Sequence, residues 1–319
     1  MIICIRNQRR VLCIISIVLV SLFIFACQDR PSSNYLQSNL DALRRTQRTS
    51  SALPRAQRNS VIAAAYTDLF GIIRDQDLAG QISDHDEDVM FSAAWLTATL
   101  TLEKSHVQDM TLLLMNLQRR GVASREHYVH MYEMYVGMRM FTEARQLAKQ
   151  HFFPEMETLP ELNGSTILIP GQPTELELSL GKRELTRRSV DLAQSQVIVI
   201  AHPLCHFSRA VARAIQEDPV LAESFGSHAR WLAPQDTHIE FDVIQQWNEA
   251  HTEQRTSIAF QESEWPMVDS WSTPTFYFLE GGHVVAKVEG WPKEGHRAEL
   301  IAGLQKAGLL HRKSSDLGR

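Results

Sequence analysis

The chain has 319 residues, 44% of them hydrophobic and 22% charged, and a net charge of -5. That length and balance suit a folded protein of two domains and exclude a disordered chain. A pI near 6.2 leaves no broad basic footprint, so nucleic acid is excluded as the expected partner.

Arg6, Arg9 and Arg10 precede a mostly apolar run from Val11 to Ala26. Its 16 residues fall short of the ~20 that span a bilayer as a helix, so residues 1–26 read as a secretory signal peptide. The run closes as Ile24-Phe25-Ala26-Cys27 and turns polar at Gln28. A small residue directly before a cysteine at that place resembles the lipobox of bacterial lipoproteins, although that pattern prefers a smaller residue than Phe25. The resemblance implies lipidation of Cys27, which becomes the mature N-terminus and anchors the chain to a membrane. Gln28 stands where an Asp would signal inner-membrane retention, so the resemblance implies the outer membrane, facing the periplasm. The chain has four cysteines, Cys4, Cys13, Cys27 and Cys205. On this reading Cys205 is the sole free thiol of the mature protein, in an oxidising compartment with no intrachain partner.

Residues 27–55, rich in Ser, Gln, Asn and Arg, read as a tether leading into a weak helix. From 56 to 160 the pattern is helical. Val61–Ile73 gives an apolar face, and Asp84, Asp86, Glu87 and Asp88 start the next helix, favouring its positive end. Those acids lack the Gly turn and closing Glu of a calcium loop and read as a solvated helix start. A third helix carries Met110 to Leu117 and stops near Gly121. Ser124 caps a fourth that ends at Gly137, and a fifth runs from Phe141 to Phe152. Tyr128, Tyr135 and Ala144, with Trp95 one repeat-length earlier, resemble positions of tetratricopeptide-type repeats, which implies a helical-hairpin domain able to recruit a partner. Simple core packing accounts for the same Tyr and Met stripe.

Turn residues from Pro154 to Gly171 place a domain boundary near 160, with the second domain at 161–312. Strands are expected at Ser165–Ile169, Glu175–Leu180, Gln196–Ala201, Ala229–Ala233 and Ser257–Phe260. Thr275–Leu279 and His283–Val288 form a hairpin across Gly281-Gly282. Helices are expected at Ser208–Gln216, with a continuation through Glu223, at Phe241–His251 and at Glu294–Ala307. Trp265 and Trp271 bracket an irregular stretch, and with Trp291 they read as core or rim packing.

The stretch Val197-Ile-Val-Ile200 leads through His202-Pro203 to Cys205 and then directly into a helix. Thr273-Pro274 opens a later strand. This order resembles the thioredoxin superfamily, and more closely the periplasmic thioredoxin-like thiol–disulfide oxidoreductases, over about residues 165–310. The resemblance implies an α/β domain with a central mixed sheet flanked by helices. It also implies a nucleophilic Cys205, and a cis-proline at Pro274 that forms a substrate platform with Thr273. A cysteine at a helix N-terminus meets free N–H groups and the positive dipole end, both favouring thiolate. His202, His206 and Arg209 can add positive charge, and His206 is a candidate substrate contact. The departure is Cys205-His-Phe-Ser208 in place of Cys-x-x-Cys: Ser208 can donate a hydrogen bond to the sulfur but cannot resolve a mixed disulfide.

Three readings stay open: a monothiol exchanger, a degenerate module that grips extended segments, and a buried structural cysteine. The first implies protein thiol or disulfide clients, or a partner reductase, and leaves a homodimer through Cys205 open. None calls for a cofactor. His202, His206, Cys205 and His283 supply zinc-type ligands, but adjacent side chains diverge at a strand–helix corner, so no metal is expected.

Overall fold

The computed structural model describes residues 33–75, 82–163 and 167–310. The apolar leader and Cys27 lie outside the described residues. The chain forms two compact units, residues 1–101 with 108–123, and residues 102–107 with 124–319.

In the first unit the described residues form α1 (Ser33–Thr49), α2 (Arg55–Asp75), α3 (Asp84–Thr101) and most of α4 (Lys104–Arg120). The expected tether is thus a packed helix from Ser33 onward. Leu36, Leu40 and Leu43 recur at helical spacing on α1 and are at most 3% exposed, while Asn39 Nδ2 donates to the Leu69 carbonyl of α2 at 2.8 Å. The polar composition reflects only the outer face of α1. The acidic start of α3 also departs from expectation. Glu87 is fully buried and lies 3.4 Å from the Arg120 guanidinium, which also meets Asp84 at 2.9 Å. A buried carboxylate needs such a counter-charge.

The second unit opens with α5 (Arg125–Gly137) and α6 (Phe141–Gln150). Ser124 caps α5 through a reciprocal box. Its Oγ accepts from the His127 N–H, and its own N–H donates to His127 Nδ1 at 2.9 Å. These helices do not close a separate helical domain at residue 160. Tyr132, Val136, Phe141 and Ala144 share one core with Leu176, Leu178, Phe241, Ile244 and Ile258, with Tyr128 and Tyr135 packed against it. The packing boundary therefore falls between Ala123 and Ser124. Arg139, between the two helices, is buried. It donates to the Phe260 and Ala259 carbonyls at 2.9 Å and to those of Val136 and Asp236 at 3.3 Å. Burial pulls its pKa down to about 10, against the attraction of Asp236 and Glu262, so it stays charged at neutral pH.

The sheet has eight strands in the described residues: β1 (Glu161–Asn163), β2 (Thr174–Leu178), β3 (Glu184–Ser189), β4 (Gln196–Ile200), β5 (Ala229–Ala233), β6 (Thr256–Ala259), β7 (Thr275–Glu280) and β8 (His283–Glu289). Their order is β1-β3-β2-β6-β5-β4-β7-β8. Strands β4, β5 and β6 are parallel, β7 is antiparallel to β4, and β2 is antiparallel to β6. The expected strand at 165–169 lies partly outside the described residues, and its described part, 167–169, is not a strand. Pairing occurs at Glu161–Asn163 instead, and Ile167 is 90% exposed. Gly281 and Gly282 both take positive φ, 56° and 81°, as the two-residue turn between β7 and β8 requires.

Strand β4 is buried on both faces, which is why its sequence lacks alternation. Val197 and Val199 pack with Val211, Ile215, Phe225, Phe276, Leu300 and Leu304. Ile198 and Ile200 pack with Trp265, Tyr277 and Leu279 on the other face. Each such side chain gains about 1.5–3 kcal/mol by leaving water. The first face is covered by α7 (His206–Glu217), α8 (Pro219–His228) and α10 (Arg297–Lys306). Helix α7 does not run on to Glu223. Asp218 ends it and caps α8, accepting from Val220 N at 2.9 Å and Leu221 N at 3.2 Å, with Pro219 at the first helical position. Gly303 of α10 lies so close to β7 that a Cβ there would come within 2.5 Å of the Phe278 ring. Helix α9 (Phe241–Ala250) joins β5 to β6.

Candidate functional site

The register of the central strands brings the two sequence landmarks together. Ile200, the last residue of β4, pairs with Thr275, the first of β7. The turn that continues β4 and the segment that precedes β7 therefore meet at one end of the sheet. Cys205 and Thr273, 68 positions apart, approach to 3.4 Å between Sγ and the Thr273 carbonyl oxygen. The Thr273–Pro274 peptide bond is cis. Pro274 is buried, and its carbonyl is fixed by the Gly290 N–H at 2.8 Å.

Cys205 is partly exposed and precedes the first turn of α7, in extended conformation. It is therefore not a buried structural residue. Burial pushes the thiol up, but hydrogen bonds from the Thr273 side chain, the Ser208 backbone and hydroxyl, and the Phe207 backbone outweigh it and leave the thiol below its ordinary range. Ser208 is 3% exposed, and its Oγ accepts from the His202 N–H at 3.3 Å. With that lone pair engaged, the hydroxyl proton is free to be donated to the sulfur.

The cationic neighbours act otherwise than the sequence suggests. The Arg209 guanidinium donates to the Pro203 and Leu204 carbonyls at 2.8 and 3.0 Å, so it staples the turn. Burial pulls His202 below the ordinary histidine range, against the attraction of Asp236 and Glu240, so its ring is neutral at pH 7. Its Nδ1 accepts the Leu204 N–H at 3.2 Å, and its carbonyl accepts the Cys205 N–H at 2.9 Å. The His-Pro turn is thus self-locking, a role visible only once Nδ1 is seen to face Leu204.

His206 is exposed and lies against the Phe207 ring at 3.8 Å between centroids. Leu204 and Phe207 flank the cysteine at 55% and 46% exposure, an apolar rim that a strand–turn–helix pattern does not announce. His283 begins β8 opposite Glu280, at the other end of β4 from Cys205. Among the described residues no three His, Cys, Asp or Glu side chains gather to hold a metal. Trp265 is in the core, and Trp271 and Trp291 pack against core clusters.

No protein-family model matches the chain, and neither a curated protein nor a solved structure does. The functional reading therefore rests on the site itself.

Proposed function

We propose that the second unit is a thioredoxin-like domain that performs single-cysteine thiol–disulfide exchange, in a protein held at a periplasmic membrane by lipid on Cys27. The observation that carries the reading is Cys205 at the start of α7, with its sulfur 3.4 Å from Thr273 beside the cis Pro274. The strand order β5-β4-β7-β8, with helices after β4 and β8, supports it. In the exchange the Cys205 thiolate attacks one sulfur of a client disulfide. A bond forms from Sγ to that sulfur, and the client's other sulfur leaves as thiolate. No net oxidation occurs. Ser208 cannot attack the mixed disulfide, so a thiol from another molecule releases Cys205. Thr273 and Pro274 form the wall against which the client backbone lies.

Exposure of the intact chain to glutathione disulfide tests this. The expected result is one glutathione on Cys205 by mass, removed by excess thiol. No adduct, together with an alkylation midpoint at the free-thiol value near ~8.5, would overturn the exchange reading. The exposed Leu204 and Phe207 favour a second reading, an apolar-segment binder with no turnover. It predicts that Cys205→Ala captures the same clients as the parent.

A further inference from the structure

Charge is distributed unevenly over the first unit. From Ala42 to Thr67 there is no Asp or Glu, and Arg44, Arg45, Arg48, Arg55 and Arg58 fall in that interval. With those five positive charges set aside, the rest of the chain carries -10 against the net of -5. The arginines surround one structural feature, the turn joining α1 to α2. Arg44, Arg45 and Arg48 are exposed on the last turns of α1, and Arg55 and Arg58 are half-buried on the first turns of α2. Arg44 has a carboxylate neighbour, Asp41 at 3.4 Å, with both side chains about half exposed. Between the two groups the turn Ser51-Ala52-Leu53-Pro54 is exposed, and Leu53 is 40% exposed.

Arg48 favours the negative end of α1, but Arg55 stands at the positive end of α2, where a cation is disfavoured and an anion is welcome. An apolar tip flanked by arginines, beside a helix start with no acid in its first turn, complements a surface of phosphate groups over hydrocarbon.

We infer that the α1–α2 turn, Arg44 to Arg58 with Leu53 at its tip, docks on a bilayer surface rich in anionic phospholipid. The inference rests on the lipid-anchored reading of Cys27. Helix α1 begins at Ser33, six positions beyond that cysteine, a reach of at most ~22 Å. Helix α1, 17 residues long, extends ~25 Å further. With α1 lying along the membrane, the turn falls on the surface, and the arginines and Leu53 meet headgroups and interface together.

The test uses the full chain with vesicles of phosphatidylcholine alone or with about a third phosphatidylglycerol. Arginine modification by phenylglyoxal is read residue by residue by mass spectrometry, with exposed Arg213 of α7 as internal reference. On anionic vesicles at low salt, Arg45 and Arg48 are expected to react about fivefold more slowly relative to Arg213, and the difference disappears in high salt. Leu53→Asp is expected to reduce the protection without changing the helical signal. Equal protection on neutral and anionic vesicles, or none on either, overturns the inference. The anchor fails separately: it is overturned if the chain does not float with neutral vesicles, whereas flotation without charge-dependent protection overturns the turn alone.

Discussion

Helices α7 and α9 both follow parallel strands of the same sheet, yet their N-termini are treated in opposite ways. At α9 the residue before the helix, Glu240, caps nothing with its own side chain. Glu157, from the connection after α6, accepts the N–H groups of Ile239, Glu240 and Phe241 at 2.9, 3.2 and 2.8 Å. A fixed carboxylate therefore fills the positive end of that helix. At α7 the residue before the helix is Cys205, whose side chain makes no cap hydrogen bond as a thiol. The Phe207 and Ser208 N–H groups favour the ionised sulfur instead. One N-terminus serves stability. The other is left for a charge that exists only when the sulfur loses its proton, which favours the thiolate that the proposed exchange needs.

The comparison breaks most completely at the sulfur itself. Cys205→Ser is expected to abolish glutathione adduct formation, read by intact mass, with little change in melting temperature, because Cys205 is partly exposed. A retained adduct on the variant would place the chemistry elsewhere. The opposite pattern is expected at α9. Glu157→Ala leaves three backbone donors without their carboxylate, and hydrogen bonds to charged groups contribute ~1.5–3 kcal/mol each. A net loss of about 2–3 kcal/mol, or roughly 5–10 °C in a unit of this size, is expected by calorimetry, while alkylation of Cys205 in the folded protein is unchanged. A fall in alkylation as large as the fall in stability would show that the two ends are not separable.

Within the site, Ser208→Ala removes the hydroxyl that accepts from His202 N–H and faces the sulfur. The thiol is held below its ordinary range, so the thiolate is present above that lowered midpoint and lost as pH falls through it. Without the hydroxyl the midpoint is expected to rise, and the alkylation rate at neutral pH to fall with it. A pH–rate profile superimposable on the parent's would show that the backbone N–H groups suffice.

What the sequence reveals follows from how locally each feature is determined. Strand β4, the Gly281-Gly282 hairpin, the Ser124 cap and the cysteine at a helix start depend on neighbours within a few positions, and each lies where the pattern puts it. The boundary near 160 does not, because turn residues mark a break in helix and say nothing of which core the preceding helices join. Tyr132 and Phe141 look alike whether they face a helix or a sheet. Helix α1 reads as a tether because its polar face outnumbers Leu36, Leu40 and Leu43. Glu157 and Arg139 act across 82 to 121 positions, and their partners are backbone atoms, which carry no sequence signature. At the site, the Thr273 approach needs the strand register, and the neutral state of His202 needs its burial.

The smallest effect is expected at α8, which separates the two contributions a capping carboxylate makes. Asp218 accepts the Val220 and Leu221 N–H groups and pairs with Arg297 of α10. The hydrogen bond from Arg297 holds its carboxyl below the usual range against the opposing effect of burial, helped by those backbone donors. A depressed carboxyl stabilises the fold above its unfolded value of ~3.9, and that contribution is lost as pH falls through the folded value. Asp218→Ala is therefore expected to cost about 1 kcal/mol at neutral pH, and the difference from the parent should shrink below pH ~4. Asp218→Asn keeps an acceptor for both N–H groups but not the charge. Since the Arg297 side chain is 64% exposed, the pair is well screened, and Asn should recover most of the stability at pH 7. If Asn proves as costly as Ala, the ion pair outweighs the cap. Fixed charge at a helix start would then matter more in this unit than hydrogen bonding, and the uncharged thiol at α7 would be the costlier exception.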